Sequence, residues 1–324
     1  MAGMGVGSSG APTDRMEDSP SGASTRGPHR LSAVRVCERK WAFRYHWDFR
    51  PPARADKDWR LGGTLIHLCL AYYYASRMPV ETQPHWFKVK DLYQALKDEG
   101  QGRDHVIESA KASLAAYMQE YAADDIRPMW IEKEWTAKLG ELDPGGPWPE
   151  LDDEEVTCRS DLVYELTRSG FGNIMDHKSF GVSKTRRDGT LVKWSPDGEF
   201  SLNWQILVNL QIVRAELLRM GRDPTWLRGF VIQRCTRNSP YVFDRNVVPI
   251  SQAAYSYTPR LLRKAVKMEL DLMARIEAGD APDPNYDACY GKYGPCDYID
   301  VCRAATDEQA KAVLLRDFER KISV

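Results

Sequence analysis

Apolar and polar residues alternate most clearly in two short segments near the middle of the chain. Residues 156–166 and 171–180 each have the period-two pattern of a half-buried strand, and Arg168-Ser169-Gly170 separates them. This pattern predicts a β-hairpin. The same alternation predicts one strand before the hairpin and two after it, at residues 129–139, 226–235 and 241–248.

Apolar residues at helical spacing predict helices on both sides of these strands. The predicted helices cover residues 33–46, 64–77, 85–98, 103–122, 203–220 and 252–278. The segment 140–153 is rich in glycine and proline, which predicts a loop between strands. Helices that precede and follow a set of strands indicate a mixed α/β (α+β) fold.

Composition excludes some classes of protein. The chain has 324 residues, with 45 basic and 46 acidic side chains, so any nucleic-acid-binding surface must be local. No apolar run is long enough to span a bilayer, and the first residues lack a signal-peptide pattern, which predicts a cytosolic protein. Residues 1–30 are rich in Gly, Ser, Ala and Pro, which predicts a disordered tail.

The predicted hairpin carries two acids and one lysine. Asp161 lies on its first strand, and Asp176 and Lys178 lie on its second strand. Positions i and i+2 of a strand share a face, so we expect Asp176 and Lys178 to lie together with Asp161 across from them. Two carboxylates beside one ammonium group suit a hard divalent cation and a phosphate ester.

Two further side chains have two interpretations each. His67 lies in the first turn of an apolar helix, where a histidine is usually a buried core group; beside an acid cluster it would be a metal ligand. Glu134 lies on the strand that precedes the hairpin. It is either a solvated strand residue or a companion of Asp161.

A basic segment follows Lys178. It contains Lys184, Arg186, Arg187 and Trp194. Such a segment beside a carboxylate site suits a phosphate backbone and a stacked base. A solvated mobile loop is the other interpretation, and the sequence does not separate the two.

Three of the seven cysteines, Cys289, Cys296 and Cys302, lie within fourteen residues of one another. Three thiolates make an incomplete tetrahedral site. Cys37, in the first predicted helix, is the fourth candidate, and a shared metal would tie the two ends of the chain together. Zinc and an iron–sulfur cluster both fit this set of ligands.

Together these residues resemble the RecB-like exonucleases of the PD-(D/E)XK nuclease superfamily. The closest resemblance is to the iron–sulfur branch that includes the CRISPR-associated exonucleases and the AddB nuclease domain. It covers roughly residues 31–303, with 304–324 as a C-terminal helical tail. It implies a restriction-endonuclease-like core, in which helices flank a central mixed sheet, with a helical insertion and a cysteine-clamped terminal segment.

The resemblance also assigns roles to individual residues. Gly63-x3-His67 is similar to the helix motif whose histidine binds metal, and Glu134 is similar to an upstream acid. Asp161 matches the first metal-binding aspartate, and Asp176-His177-Lys178 matches the acid-x-lysine signature. Gln205 matches the glutamine of the following helix, although Asn209 stands where the family usually has tyrosine. The resemblance implies a 4Fe–4S cluster on Cys37, Cys289, Cys296 and Cys302, with zinc as the alternative; the gap between Cys289 and Cys296 is longer than is usual.

The implied activity is hydrolysis of DNA. His67, Asp161, Asp176 and the carbonyl of His177 would bind Mg²⁺ or Mn²⁺, and Lys178 would orient the attacking water. The resemblance implies an exonuclease acting on single-stranded DNA or DNA ends in recombination, repair, CRISPR-type or phage DNA processing. A helicase, recombination or CRISPR protein is the implied partner, and a phage-encoded enzyme would work in the host cytoplasm. The alternative is a non-catalytic nucleic-acid-binding module with a structural zinc or iron–sulfur site.

Overall fold

The strands form one large sheet and two short pairs. The computed structural model describes residues 26–50, 58–180, 202–237, 239–291, 294–304 and 306–320. The five strands of the large sheet are β2 (Ile126–Lys138), β3 (Glu155–Leu166), β4 (Gly172–Phe180), β5 (Leu227–Thr236) and β6 (Phe243–Val248), in that spatial order. The short strands are β1 (Phe49–Arg50), β7 (Tyr290–Gly291), β8 (Gly294–Pro295) and β9 (Glu319–Arg320). In the large sheet β4 and β5 are parallel and the other neighbours are antiparallel, so the predicted mixed sheet is confirmed.

Helices cover both faces of this sheet. They are α1 (Pro28–Val36), α2 (Glu38–Trp41), α3 (Asp58–Ser76), α4 (His85–Val89), α5 (Leu92–Gly100), α6 (Asp104–Glu120), α7 (Leu139–Leu142), α8 (Trp204–Arg219), α9 (Gln252–Glu277), α10 (Ile299–Arg303) and α11 (Asp307–Asp317). Residues of α3, α5 and α6 bury one face of the sheet, and residues of α8 and α9 bury the other. The parallel pair β4–β5 is joined across the face that α8 covers.

Three predicted helices differ from the observed ones. The helix predicted at 33–46 starts at Pro28 and breaks at Cys37, whose backbone is extended (φ −162°, ψ 113°), before α2 and a π-helical turn at Ala42–His46. The helix predicted at 85–98 is two helices, because the Asp91 side chain accepts a hydrogen bond from the Gln94 amide and starts a new one. The helix predicted at 64–77 begins six residues earlier, at Asp58. The predicted loop at 140–153 includes the end of the short helix α7.

The described part of the chain begins at Arg26, within the predicted tail. Glu269 of α9 has a fully buried side chain, and its carboxylate accepts hydrogen bonds from Arg26 (2.8 Å), Arg30 (2.6 Å) and the Trp41 indole (3.1 Å). A buried carboxylate that lost these partners would cost several kcal/mol, roughly 3–5. Residues 26–30 are therefore a fixed part of the fold, although composition placed them in the tail.

The two ends of the described chain meet. β1 pairs with β9, so that Phe49 lies opposite Arg320. Tyr298 stacks on Phe318 with ring centroids 5.0 Å apart, and it contacts Phe43 at 5.2 Å. These contacts hold the C-terminal segment against the π-helical turn independently of any bound metal. None of the helices in the described residues is long and apolar enough to cross a membrane.

Candidate active site

The hairpin β3–β4 brings together the two aspartates of the predicted site. Leu162 pairs with Met175 in the antiparallel register, so Asp161 and Asp176 occupy the next opposed positions. The Nζ atom of Lys178 lies 2.7 Å from Oδ2 of Asp176. The alternation of β4 therefore gives the shared face that the sequence predicted for these two side chains.

Helix α3 supplies the imidazole. Nδ1 of His67 lies 3.4 Å from Oδ2 of Asp161, and the same oxygen accepts a 2.7 Å hydrogen bond from the His177 amide. Gly63, one turn before His67, allows this close approach: a Cβ atom there would lie 2.6 Å from Oγ of Ser179. With glycine at this position, α3 packs closely against Ser179 of β4.

A third acid, Glu132 of β2, completes the cluster. One ligand atom each from His67, Glu132 and Asp161 lie within 4.8 Å of one another, and all three side chains are partly buried. Carboxylate oxygens and an imidazole nitrogen are suitable ligands for Mg²⁺ or Mn²⁺, and the imidazole favours manganese. Sequence reasoning did not identify Glu132.

The backbone of β2 explains how Glu132 reaches the site. Its φ angle is +50°, in the left-handed region that few non-glycine residues adopt. Ile131 packs into the core on the α3 side, whereas Trp135 packs into the core on the α8 side. Both have odd numbers, so the regular alternation of β2 reverses between them, and Glu132 lies at the reversal.

In the neighbouring strand β3, the alternation of side chains between the two faces of the sheet also reverses, next to the reversal in β2. Cys158 faces the α8 side and Leu162 faces the α3 side, although both positions are even-numbered. Asp161 lies between them. Ile131 pairs with Leu162 and Lys133 with Ser160, which places Glu132 opposite Asp161. The two acids thus meet where both strands depart from simple alternation, as irregular strands often do next to functional sites.

Glu134, the acid chosen from the sequence, is not part of the cluster. It lies two residues further along β2, opposite Arg159, whose guanidinium is 4.0 Å from its carboxylate. Glu132 and Glu134 are two residues apart, so alternation along the strand does not distinguish them. The usable signal was the strand pairing: only the register shows that Glu132 faces Asp161.

Burial and mutual repulsion raise the pKa values of both acids. For Glu132 burial is the main cause, and the negative charge of Asp161 adds to it. For Asp161 burial also dominates, while His67 opposes it by favouring the charged form and Asp176 adds to it. Carboxylates that are crowded in this way bind a divalent cation well, because the cation neutralises the charges that repel each other.

His177 supports the cluster from beneath. Its side chain is 2% exposed, and burial holds its pKa well below the usual range. Its ring meets His67 edge-on at 5.9 Å and stacks on Tyr74 at 5.9 Å with a 15° interplanar angle. Its Nδ1 atom is 3.7 Å from Asp161, and its buried Nε2 atom has no hydrogen-bond partner among the described residues. The side chain therefore packs behind His67 and Asp161.

A buried polar network holds Tyr74 in turn. The Tyr74 and Tyr117 hydroxyls are 2.6 Å apart, and the guanidinium of Arg245 donates to Tyr117 at 3.1 Å. Asp124 accepts a 2.7 Å hydrogen bond from the same guanidinium. These hydrogen bonds hold the Tyr74 ring, which contacts His177, in place.

The other predicted site residues are more distant or lie outside the described residues. Gln205 is in the first turn of α8, where its amide donates to the Asn203 cap at 2.9 Å. In the described part of the chain its side chain has no hydrogen bond to Lys178 or the acids. Asn209 is 2% exposed one turn later. The predicted substrate-binding residues Lys184, Arg186, Arg187 and Trp194 lie outside the described residues.

The four predicted cluster cysteines line a single pocket at the junction of the chain ends, together with Lys40 and Tyr298. All four are free and partly buried: Cys37, Cys289, Cys296 and Cys302. The break between α1 and α2 points Cys37 into this pocket, where its sulfur accepts a 3.5 Å hydrogen bond from the Lys40 amide. Burial raises the pKa of Cys302, and nearby Arg39 opposes this effect by favouring the thiolate.

Comparisons with known proteins identify a family. A sequence model described as the PD-(D/E)XK nuclease superfamily matches residues 27–303. The sequence matches no curated protein. Among solved structures, the chain is similar to a Eubacterium rectale protein named as a candidate exonuclease, with 12% identity and a TM-score of 0.44 over 80% of this chain and 84% of that chain. The family assignment rests on the sequence model alone.

Proposed function

Because the chain belongs to the PD-(D/E)XK nuclease superfamily, we propose that it is a metal-dependent deoxyribonuclease that hydrolyses phosphodiester bonds. The convergence of His67, Glu132 and Asp161 beside the Asp176–Lys178 pair carries this proposal. Fold alone would not carry it, since one fold hosts many activities.

The donor set fits a divalent cation. His67, Glu132 and Asp161 would hold Mg²⁺ or Mn²⁺, and Asp176 would be a further ligand from the adjacent strand. When bound, the cation supplies positive charge for the phosphate oxygens and a water of lowered pKa. The raised pKa values of Glu132 and Asp161 support this assignment, because each acid lacks a full counter-charge in the protein alone.

Lys178 is the proposed positioning group for the attacking water. Its ammonium group is held 2.7 Å from Asp176, and its side chain is 41% exposed, so it can reach a substrate phosphate. A fixed ammonium group orients a water and stabilises the charge that develops on the phosphate. In this proposal Gln205 would position the lysine or a phosphate, and the carbonyl of His177 would be an extra metal ligand.

The preferred substrate in this proposal is single-stranded DNA or a DNA end. The order of the motifs along the chain supports it, because that order resembles RecB-like exonucleases. Recombination, repair, CRISPR-type and phage DNA processing are the settings that this substrate would serve. A helicase or recombination protein would then be the natural partner.

The test compares two glutamates on one strand. Asp161→Asn and Glu132→Gln should each lower Mn²⁺-dependent cleavage of labelled single-stranded DNA by at least about a hundredfold. Glu134→Gln is the matched control and should retain cleavage within a few-fold. Circular single-stranded DNA in the same assay separates exonuclease from endonuclease activity. DNA binding by the wild type without any cleavage would instead indicate a non-catalytic binding module.

We propose in addition that the four cysteines hold a 4Fe–4S cluster. The four side chains line one pocket, although Cys37 is far from the other three in sequence. This convergence of four thiols supports one shared metal centre, and zinc is the alternative.

A further inference from the structure

The described chain begins with a basic segment. Residues 26–47 contain six lysine or arginine side chains and one acid, Glu38, although the whole chain is nearly neutral. A local excess of positive charge on a neutral protein marks a surface that can bind a polyanion. Two of the six, Arg26 and Arg30, are paired with the buried carboxylate of Glu269. The other basic side chains therefore decide what this segment can bind.

The first turn of α1 is fixed against the strand and the helix that carry predicted site residues. The Arg26 amide donates to the Thr157 hydroxyl at 2.9 Å, and the Thr157 amide donates to the Arg26 carbonyl at 3.2 Å. Thr157 lies four residues before Asp161 on β3. The Trp204 indole, at the start of α8, donates to the Pro28 carbonyl at 3.3 Å. Hydrogen bonds to two separate elements thus hold this turn beside the part of the sheet that carries the proposed site.

His29 belongs to this turn, and its side chain is exposed to solvent. Surrounding protein atoms remove part of its hydration, which is the main cause that lowers the pKa of His29. The positive charges of Lys178 and Arg44 lower it further, and the negative charge of Asp176 opposes them. Such effects weaken quickly with distance in a salt solution, so the imidazole lies close to the Asp176–Lys178 pair. A DNA strand held at Lys178 would therefore pass next to His29.

Arg44, in the π-helical turn, lies next to the first turn of α1. The Tyr45 ring has the Arg30 guanidinium 5.6 Å from its centroid and the Arg44 guanidinium 5.5 Å from it. Arg44 is exposed, and in the described part of the chain its guanidinium is in no ion pair. An exposed guanidinium can bind a phosphate through two N–H groups, and a neutral imidazole adds one N–H donor.

We propose that His29 and Arg44 form a phosphate-binding surface for the DNA strand that the enzyme cleaves. The inference rests on the proposed nuclease function and assigns the substrate strand a path from Lys178 over the first turn of α1 to the π-helical turn. Lys178 would contact the scissile phosphate, and His29 and Arg44 would contact phosphates next to it. The surface uses only backbone contacts, so it would bind strands of any sequence.

The first test removes the charge of Arg44. Arg44→Gln should weaken binding of a single-stranded oligonucleotide, measured by fluorescence anisotropy in EDTA, and lower the salt slope of log K by about 0.7, the value for one phosphate contact on a single strand. This change corresponds to about fivefold in affinity at about 0.1 M salt. The control is Arg228→Gln. Arg228 is also exposed over an aromatic ring, 4.2 Å from Phe171, but it lies at the other end of β5, about 20 Å from the residue that pairs with Lys178.

The same assay can locate the contact on the strand. A set of oligonucleotides carries one uncharged methylphosphonate linkage, moved one position at a time. In the wild type one such position should weaken binding about fivefold, the effect of one lost phosphate contact. In Arg44→Gln that position should have little further effect, because the contact is already absent.

The second test addresses His29. His29→Ala should raise KM for single-stranded DNA in Mn²⁺ about fivefold, the scale of one hydrogen bond, with little change in kcat. His29→Gln keeps an N–H donor and should restore part of the loss. The control is His85→Ala, because His85 is also an exposed histidine that follows a proline at the start of a helix, α4.

The outcomes separate this inference from the proposed function. An unchanged salt slope in Arg44→Gln, or an equal loss in Arg228→Gln, would overturn the surface, while cleavage by the wild type would uphold the nuclease. A fall in kcat at constant KM in His29→Ala would also overturn it, since His29 would then act on the reaction itself. A wild type that binds DNA with an Arg44-dependent slope but never cleaves it would support the surface and refute the nuclease.

Discussion

The substitution Glu132→Gln makes the sharpest prediction about the proposed metal site. The ligand oxygens of Glu132 and Asp161 are at most 4.8 Å apart, and two full charges at that distance repel by about 3.5 kcal/mol at an effective dielectric constant of about 20. The amide removes this repulsion while keeping the shape of the side chain. We therefore expect the metal-free variant to unfold at a higher temperature than the metal-free wild type.

The pH dependence has a definite sign. The pKa of Glu132 is raised in the folded protein, so the folded state holds its proton more tightly than the unfolded chain does. The stability of the metal-free wild type should fall as pH rises above the ordinary value of 4.5 and through the raised value. The stability of Glu132→Gln should depend less on pH over the same range.

With Mn²⁺ present, the wild type should unfold at a higher temperature than Glu132→Gln, the reverse of the order without metal. A cation at a hundred times its Kd stabilises the wild type by about 2.7 kcal/mol, which corresponds to roughly 5 °C in Tm for a domain of this size. Glu132→Gln should lose most of this shift. Differential scanning calorimetry of both proteins, with EDTA or Mn²⁺ and at pH 5 and pH 8, measures the eight Tm values. A variant that is less stable than the wild type in EDTA, and that keeps the full Mn²⁺ shift, would refute the reasoning.

Three more predictions follow from the same geometry. Lys178→Met should lower kcat on single-stranded DNA at least about a hundredfold and keep the Mn²⁺-induced rise in Tm, because it removes a positioning group and no ligand; loss of that rise would contradict it. Tyr74→Phe removes the 2.6 Å hydroxyl contact with Tyr117 behind His177. It should weaken Mn²⁺ binding, measured by titration calorimetry, about tenfold. Unchanged affinity would show that this network does not affect the proposed ligands. Cys296→Ser, purified without oxygen, should lose iron and visible absorption. Colourless wild-type protein that contains one equivalent of zinc would show that the cysteines bind zinc and not an iron–sulfur cluster.

The sequence by itself determined the scaffold and the hairpin that carries Asp161, Asp176 and Lys178. Alternation and the turn at Gly170 specified β3 and β4, and the spacing of Asp176 and Lys178 specified their shared face, because both properties depend only on local geometry. Helix α8 and its stop at Gly221 (φ +71°) followed from local signals as well. The order of these motifs along the chain was sufficient for a resemblance to the family that the sequence model then showed.

The tertiary structure alone decided which side chains meet. Glu132 lies beside His67 and Asp161 at a left-handed residue inside β2, and no periodic pattern in the sequence reports a single φ angle. Cys37 turned toward the other cysteines because its helix breaks there, which its neighbours in sequence did not indicate. Local sequence fixes local conformation, whereas the closing of a site depends on register and packing between distant segments.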